Sequence, residues 1–514
     1  MRITNKIMQR NNLSNINTNK IYQDKLSTQM STQKKINRPS DDPVVAIRAL
    51  RLRSSVTEIT QYYSKNIPDA ESWLNVTEDA LKNLSQIMTS MIEQCTRGAN
   101  GDLKNADREI ILEQMKALGE EVYTTGDADY AGRYVFTGYR TDTSLSFTSD
   151  KTQTYEITEQ LDNSAISSLK KIESGNLTDW TSANFKTLTD TDEQAVEALD
   201  VYRIRLAYND CSENMKPVIT YQKREDDGSE STVTLNSTMV HSYAEPSPYK
   251  QVSEDPDAVI YVPETGELLL GQSKYEELMA VKDDISTVKD EGEIRVTYQK
   301  DDWLKGDLRP EHYFYCKTDP ATEDEIEYNP TFLGDNPERQ VIEYDVGFNQ
   351  TIRVNSTADE CFQHGIGREV DDLVNAMQET LDLDAIKEKI KKQMEGADEA
   401  DKAKLQVQLD GVDKALTLSK DKCQKLFEQG ITTFQNYLND ANLSITACGT
   451  RSKKLELIEN RMQSQKTTFE TLKSENEDVD ITDVAINLNS AELTYEAALM
   501  ATGKVVQTTL LNFI

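Results

Sequence analysis

Imidazoles are scarce in this chain. His241, His312 and His364 are the only three, and no HxxxH or HExxH spacing puts two of them on one helix face to hold a zinc ion. The six cysteines, Cys95, Cys211, Cys316, Cys361, Cys423 and Cys448, stand far apart, whereas zinc and redox centres need a close CxxC pair. They read as buried thiols packing like small hydrophobes, with a bridge between Cys211 and Cys316 left open. No GxSxG elbow, phosphate loop or kinase signature occurs. Gly365-Ile366-Gly367 opens a helix after a strand, but the third glycine and the following βαβ unit of a nucleotide fold are missing, so these glycines read as a helix start. The acidic runs Asp190–Glu193 and Glu475–Asp483 lack the spacing and closing glutamate of a calcium loop. The first reads as a solvated loop, the second as an acidic lead-in to a helix N-terminus. The expectation is no catalytic residue, no cofactor and no metal: not an enzyme.

Charge and length narrow the class further. The 514 residues are too many for one core, which suggests two or three domains. A net charge of −32 argues against nucleic acid as a partner. The acid is unevenly spread, since residues 1–60 hold eleven Lys/Arg against four Asp/Glu. No run approaches the ~18 apolar residues of a membrane helix, so membrane insertion is not expected. Met1-Arg2-Ile3-Thr4-Asn5-Lys6 does not lead into the apolar core of a cleaved signal.

The elements that would carry a function are helical at both ends. Residues 4–36 form a polar helix with loosely spaced apolar positions, marginal without a partner. The turn Arg38-Pro39-Ser40-Asp41-Asp42-Pro43 starts the next helix, with Asp42 as cap and Pro43 in the first helical position. A core seam follows at Leu52, Val56, Ile59, Tyr63, Asn66, Ala70, Trp73, Thr77, Ala80, Leu84, Ile87 and Met91, in steps of four and three over about six heptads. Pro68 should kink or break it. A further helix is expected over 105–125. From 141 to 340 short strand runs alternate with acidic loops, with a hairpin at Pro263-Glu264-Thr265-Gly266 and short helices near 193–210 and 274–290. Helix returns at 366–394 and 398–470. The last helix, 481–512, carries an apolar stripe at Val484, Leu488, Ala491, Tyr495, Leu499 and Val505, then ends on Leu510, Phe513 and Ile514. That stripe cannot be satisfied by its own helix and needs a docking partner.

The expected fold class is α+β: a long antiparallel helical bundle or coiled coil of N- and C-terminal segments around a large β-rich insert. Residues 1–40 and 481–514 would be terminal helices, 41–140 and 341–480 a helical core, and 141–340 a variable insert.

These features in this order resemble the flagellin superfamily. The match runs through Met1–Lys6, Arg38–Pro43, Arg48–Arg53, Asn66–Leu74 (NIPDAESWL) and Tyr134–Gly138. It resumes at Glu343–Asn355 (EYDVGFNQTIRVN), Glu475–Asp480, Tyr495–Leu499 and Leu510–Ile514, covering about 1–140 and 341–514. Within the superfamily, the Ser40–Pro43 turn and the Tyr495–Leu499 run favour the members that join hook to filament. The resemblance implies a non-enzymatic structural subunit between the first hook-associated protein and flagellin, self-associating in a ring or tube. It implies export through the flagellar secretion apparatus without a cleaved signal, to an extracellular place on the bacterial flagellum. The C-terminal helix would be held by an export chaperone. The terminal helices would stay disordered until assembly and line the inner tube, with the insert facing outward. A flagellin-type filament subunit is the alternative, and an adhesin or enzyme in the insert a more remote one. Two features depart from the family pattern: the insert is longer than usual, and six cysteines are unusual in a secreted flagellar protein.

Overall fold

Loosely spaced apolar residues make the first segment a helix that needs a partner. In the computed structural model it is α1 (Asn5–Thr32), followed by α2 (Pro43–Gln61), α3 (Ile67–Gly98) and α4 (Asn105–Gly126). The structure describes residues 5–188, 191–224, 230–280, 294–333 and 340–507. The interruption expected at Pro68 takes the form of a π-helical turn just upstream, over Tyr62–Asn66. Pro68 itself falls in the first turn of α3, directly after that π-helical turn, in which Ile67 N donates to the Tyr62 carbonyl; the wider turn lets the helix run past a residue that has no N–H to give.

A tight hairpin, β1 (Asp129–Tyr130) with β2 (Arg133–Tyr134), opens the non-helical part. Next come β3 (Lys151–Leu161), β4 (Ile166–Glu173), β5 (Glu197–Arg205), β6 (Val218–Arg224), β7 (Glu230–Asn236) and β8 (Thr238–Met239). After α5 (Pro248–Glu254), strands β9 (Val259–Val262) and β10 (Glu267–Leu270) lead to α6 (Gln272–Met279). Then follow β11 (Ile294–Trp303), β12 (Tyr315–Thr318), β13 (Ile326–Tyr328), β14 (Glu343–Gly347) and β15 (Gln350–Arg353). The chain closes with α7 (Ala358–Cys361), α8 (Gly365–Glu395), α9 (Glu399–Glu477) and α10 (Ile481–Gln507). The class is α+β.

The strands make a five-stranded sheet, β4-β5-β10-β9-β8, and a six-stranded one, β13-β12-β3-β11-β6-β7. The expected hairpin joins β9 to β10, with Glu267 opposite Val262. Gly266 at its tip has φ +61, and a Cβ there would lie 1.9 Å from the Tyr208 carbonyl oxygen, so only glycine fits. One expectation is corrected: 193–210 holds no helix but β5, paired with β4 and β10. The helix-favouring run Glu197-Ala198-Leu199 is held there by its ladder with β4, and Tyr202–Arg205 further on by β10 as well. Helix 274–290 is represented by α6, and 281–293 lies outside the described residues.

The chain divides into two compact units. Unit 1 is 1–71, 344–352 and 453–514; unit 2 is 72–343 and 353–452. Residues 141–340 do not stand apart from the helices of unit 2, because two sets of contacts bind them there. One is an apolar cluster in which Ile172, Leu177, Trp180, Phe185 and Val196 meet Leu383, Ile386 and Ile390 of α8 and Leu405, Val412 and Leu416 of α9. Within it Trp180 Nε1 donates to Gln408 Oε1 at 2.8 Å, and Gln408 Nε2 donates to the Phe185 carbonyl at 2.7 Å. The other is a buried ion network. Arg203 on β5 pairs with Glu267 on β10 and Asp372 on α8, and Arg205 pairs with the same Asp372. Burial tends to raise the Asp372 carboxyl, but the two guanidiniums outweigh it and hold it below its ordinary range.

Candidate functional site

The N- and C-terminal segments meet in unit 1. The chain entering α2 is fixed by two aspartates acting in opposite directions. Asp42 Oδ1 accepts from Val44 N at 3.0 Å and Val45 N at 3.2 Å, capping α2, with Pro43 in its first turn. Asp41 Oδ2 reaches back to accept from Arg38 N at 2.9 Å and Asn37 N at 3.1 Å, and these two donors hold its carboxyl below its usual range. The segment before the turn then pairs with the end of α9. Lys35 N donates to the Glu477 carbonyl at 2.7 Å and Val479 N to the Gln33 carbonyl at 3.1 Å. Arg53 forks onto the Glu477 carboxylate at 2.6 and 2.7 Å, and Lys34 pairs with Asp478. The acidic run Glu475–Asp483 thus serves as a clasp for basic N-terminal residues.

Beyond that clasp α1 lies along α10. Gln23 faces Glu492, Leu26 packs with Val484 and Ala491, and Lys34 meets Asp478. As residue numbers rise in one helix they fall in the other, so the pair is antiparallel. Of the predicted C-terminal stripe, Val484 and Ala491 are buried and Leu488 packs against them. Tyr495 is half-buried and Leu499 exposed. Val505 is helical, with its side chain outside the described residues, as are Leu510, Phe513 and Ile514 entirely. A second apolar face remains in water on both helices: Ile7, Leu13 and Ile21 on α1, and Ile486 (61% exposed), Leu493 (68%) and Met500 (70%) on α10. Two helices cannot bury stripes wider than their mutual contact. Large apolar residues therefore stay exposed on both helices.

The predicted seam divides between the units. In unit 1 Ile59 is buried, while Leu52, Val56 and Tyr63 are half-buried. In unit 2 Trp73, Leu84, Ile87 and Met91 are buried. Spacing alone did not bring out Tyr130 and Arg133, which cover Trp73. The Arg133 guanidinium lies 4.9 Å from the Trp73 ring centre, and Tyr130 meets it edge-on at 6.3 Å. The signal was the Tyr130–Gly138 turn itself, whose tight hairpin carries those two side chains. Gly365 and Gly367 also find a reason. A Cβ at Gly367 would crowd Tyr123 Oη at 3.0 Å, and Gly367 N donates to that oxygen at 2.8 Å. They permit close packing against Tyr437 and Tyr123.

Unit 2 contains a cleft of about 900 Å³ lined by Tyr123, Asp127, Tyr208, Lys305, His364 and Arg368, among others. Burial pushes the His364 imidazole down to about 4, with Arg205 and Arg368 adding to the effect, so it is uncharged near neutrality. Tyr123 Oη is engaged by Gly367, and Asp127 accepts from Leu145 N and Ser146 Oγ. Of the other histidines, His241 pairs with Glu264, and His312 contacts Thr143 and the Ser144 carbonyl. Among the described residues no group of His, Cys, Asp and Glu could hold a metal, and no helix is long and apolar enough to cross a membrane. All six cysteines are free and buried, and Cys211 and Cys316 form no bridge.

Comparison with known proteins places the N-terminal part. Residues 3–141 match the bacterial flagellin N-terminal helical region. Flagellar hook-associated protein 3 of Salmonella typhimurium is 29% identical over 143 residues, spanning 28% of this chain and 45% of the relative. The protein of the same name from Escherichia coli is 28% identical over 145 residues, with the same shares. The chain therefore spans less than half the length of these curated relatives. The solved structure of a putative flagellar hook-associated protein from Vibrio parahaemolyticus covers 85% of this chain and 100% of its own, at 13% identity and a TM-score of 0.34. FlgL of Xanthomonas campestris covers 81% and 99%, at 10% identity and a TM-score of 0.27. Neither superposition is close enough to carry weight. Over its first 141 residues, then, the chain is similar to the bacterial flagellin N-terminal helical region, and over about 28% of its length to flagellar hook-associated protein 3.

Proposed function

We propose that this chain is a structural, non-enzymatic subunit of the bacterial flagellum that joins the hook to the flagellin filament. The observation that carries this reading is the antiparallel α1–α10 pair with a second apolar face left open on both helices. Such a face is satisfied when neighbouring subunits supply the missing helices, and a head-to-tail contact that does not close on itself builds a tube. Assembly would then bury Ile21, Ile486, Leu493 and Met500 against copies of this chain, the first hook-associated protein on one side and flagellin on the other. Val484, Leu488 and Ala491 of the stripe are already taken up by α1, so the exposed positions Ile486, Leu493, Leu499 and Met500, with the end Leu510–Ile514, form the assembly surface. An export chaperone would cover that surface before assembly, keeping the chain soluble on its way to the extracellular junction. Residues 141–340, on this reading, face outward from the tube.

The test is assembly in vitro. Purified chain added to isolated hooks carrying the first hook-associated protein should form a short collar that flagellin then extends. Chain that elongates alone into long filaments would instead be a flagellin-type filament subunit.

A further inference from the structure

Glu159 lies toward the end of β3, in the six-stranded sheet of unit 2, and is completely buried. Its Oε1 accepts from Ala207 N at 2.7 Å and from Tyr298 Oη on β11. Its Oε2 is buried with no hydrogen-bond partner. The titratable and charged groups facing it are Tyr298 from β11, Tyr208 and Cys211 from the segment after β5, and Arg368 from α8. None of them neutralises it by direct contact. Arg368 is turned to the Leu206 and Thr265 carbonyls at 3.1 and 2.6 Å. Lys300, the buried cation of the same sheet, gives its ammonium to the Asn209 carbonyl at 2.6 Å. The sheet has therefore been built around a carboxyl group with one bonded oxygen and one orphan.

A buried carboxylate without a counter-ion is costly, and the neutral acid far less so. We propose that Glu159 is a proton-operated latch, closing the six-stranded sheet of unit 2 when it holds a proton and loosening the sheet when it ionises. Burial pushes the carboxyl up to about 7 against the ordinary 4.5, with Tyr298, Ala207 and Arg368 pulling the other way. Between those two values the folded chain holds a proton that the unfolded chain has released. Stability of unit 2 is then greatest below pH 4.5 as far as this group is concerned, and falls as pH rises to 7.

The experiment uses the full chain. All three tryptophans, Trp73, Trp180 and Trp303, lie in unit 2, so fluorescence during urea unfolding reads that unit. From pH 5 to pH 8 the unfolding equilibrium constant should rise tens-fold more, roughly, in the native chain than in Glu159→Gln, where nothing titrates. The comparison cancels the contributions of all other groups. Parallel pH profiles for the two chains would overturn the proposal. Should Glu159→Gln fail to fold, Tyr298→Phe removes a hydrogen bond that favours the ionised form. The fall in stability should then extend to higher pH than in the native chain, and an unchanged profile would overturn the latch.

Discussion

Trp73 shows how much a single side chain can carry in a fold this lean in aromatics. It is 1% exposed, roofed by Arg133 and flanked by Tyr130. Trp73→Ala should therefore cost unit 2 about 3–5 kcal/mol in urea or thermal unfolding. A melting temperature equal to the native value would mean the roof over Trp73 does not exist in solution. The buried histidines make a second claim at this scale. Burial lowers both His312 and His364 to about 4, against 6.5 for an exposed imidazole. The unfolded chain takes up these protons first, so the share of stability from keeping both rings neutral is complete above pH 6.5 and is lost as pH falls toward 4. Ring-proton resonances of His312 and His364 should stay in their neutral positions at about pH 5.5. Half-titrated signals near the ordinary imidazole value would contradict the burial.

Elements differ in how far their residues announced them. The seam was legible from Trp73 to Met91 because steps of three and four line up one face of a helix, and Trp73, Leu84, Ile87 and Met91 on it are buried, whereas Tyr63 upstream is only half-buried. The Asp42 cap and the Pro263–Gly266 hairpin were legible because both are local chemistry. Strand β5 was not, because its alternation is masked: the inward residue Arg203 is a charge, made tolerable by Glu267 and Asp372 from far away in the chain. Nor could spacing reveal that residues 141–340 are tied to α8 and α9 through contacts such as Trp180–Gln408. Breaking the ion network should expose its role. Arg203→Leu leaves Glu267 buried without its cation and Asp372 with Arg205 alone, which should cost roughly 3–5 kcal/mol. Hydrogen exchange in β10 and the first turns of α8 should quicken together. Unaltered exchange in both would show that the apolar cluster alone holds the insert.

At the scale of the molecule, the charge of −32 and the basic first residues resolve into a division of labour. Lys34 and Arg53 are matched to Glu477 and Asp478, so the ends find each other, while unpaired apolar faces on α1 and α10 are left for neighbours. Removing 481–514 should abolish incorporation into flagella while tryptophan fluorescence of unit 2 keeps its native unfolding midpoint. Incorporation of the truncated chain at normal levels would remove α10 from the assembly surface.

The most direct test of the junction role is electron microscopy of the source bacterium lacking this chain, with the culture medium probed for flagellin. The expected result is cells that bear hooks without filaments and shed flagellin monomers into the medium. Filaments of normal length and number on those hooks would contradict the account.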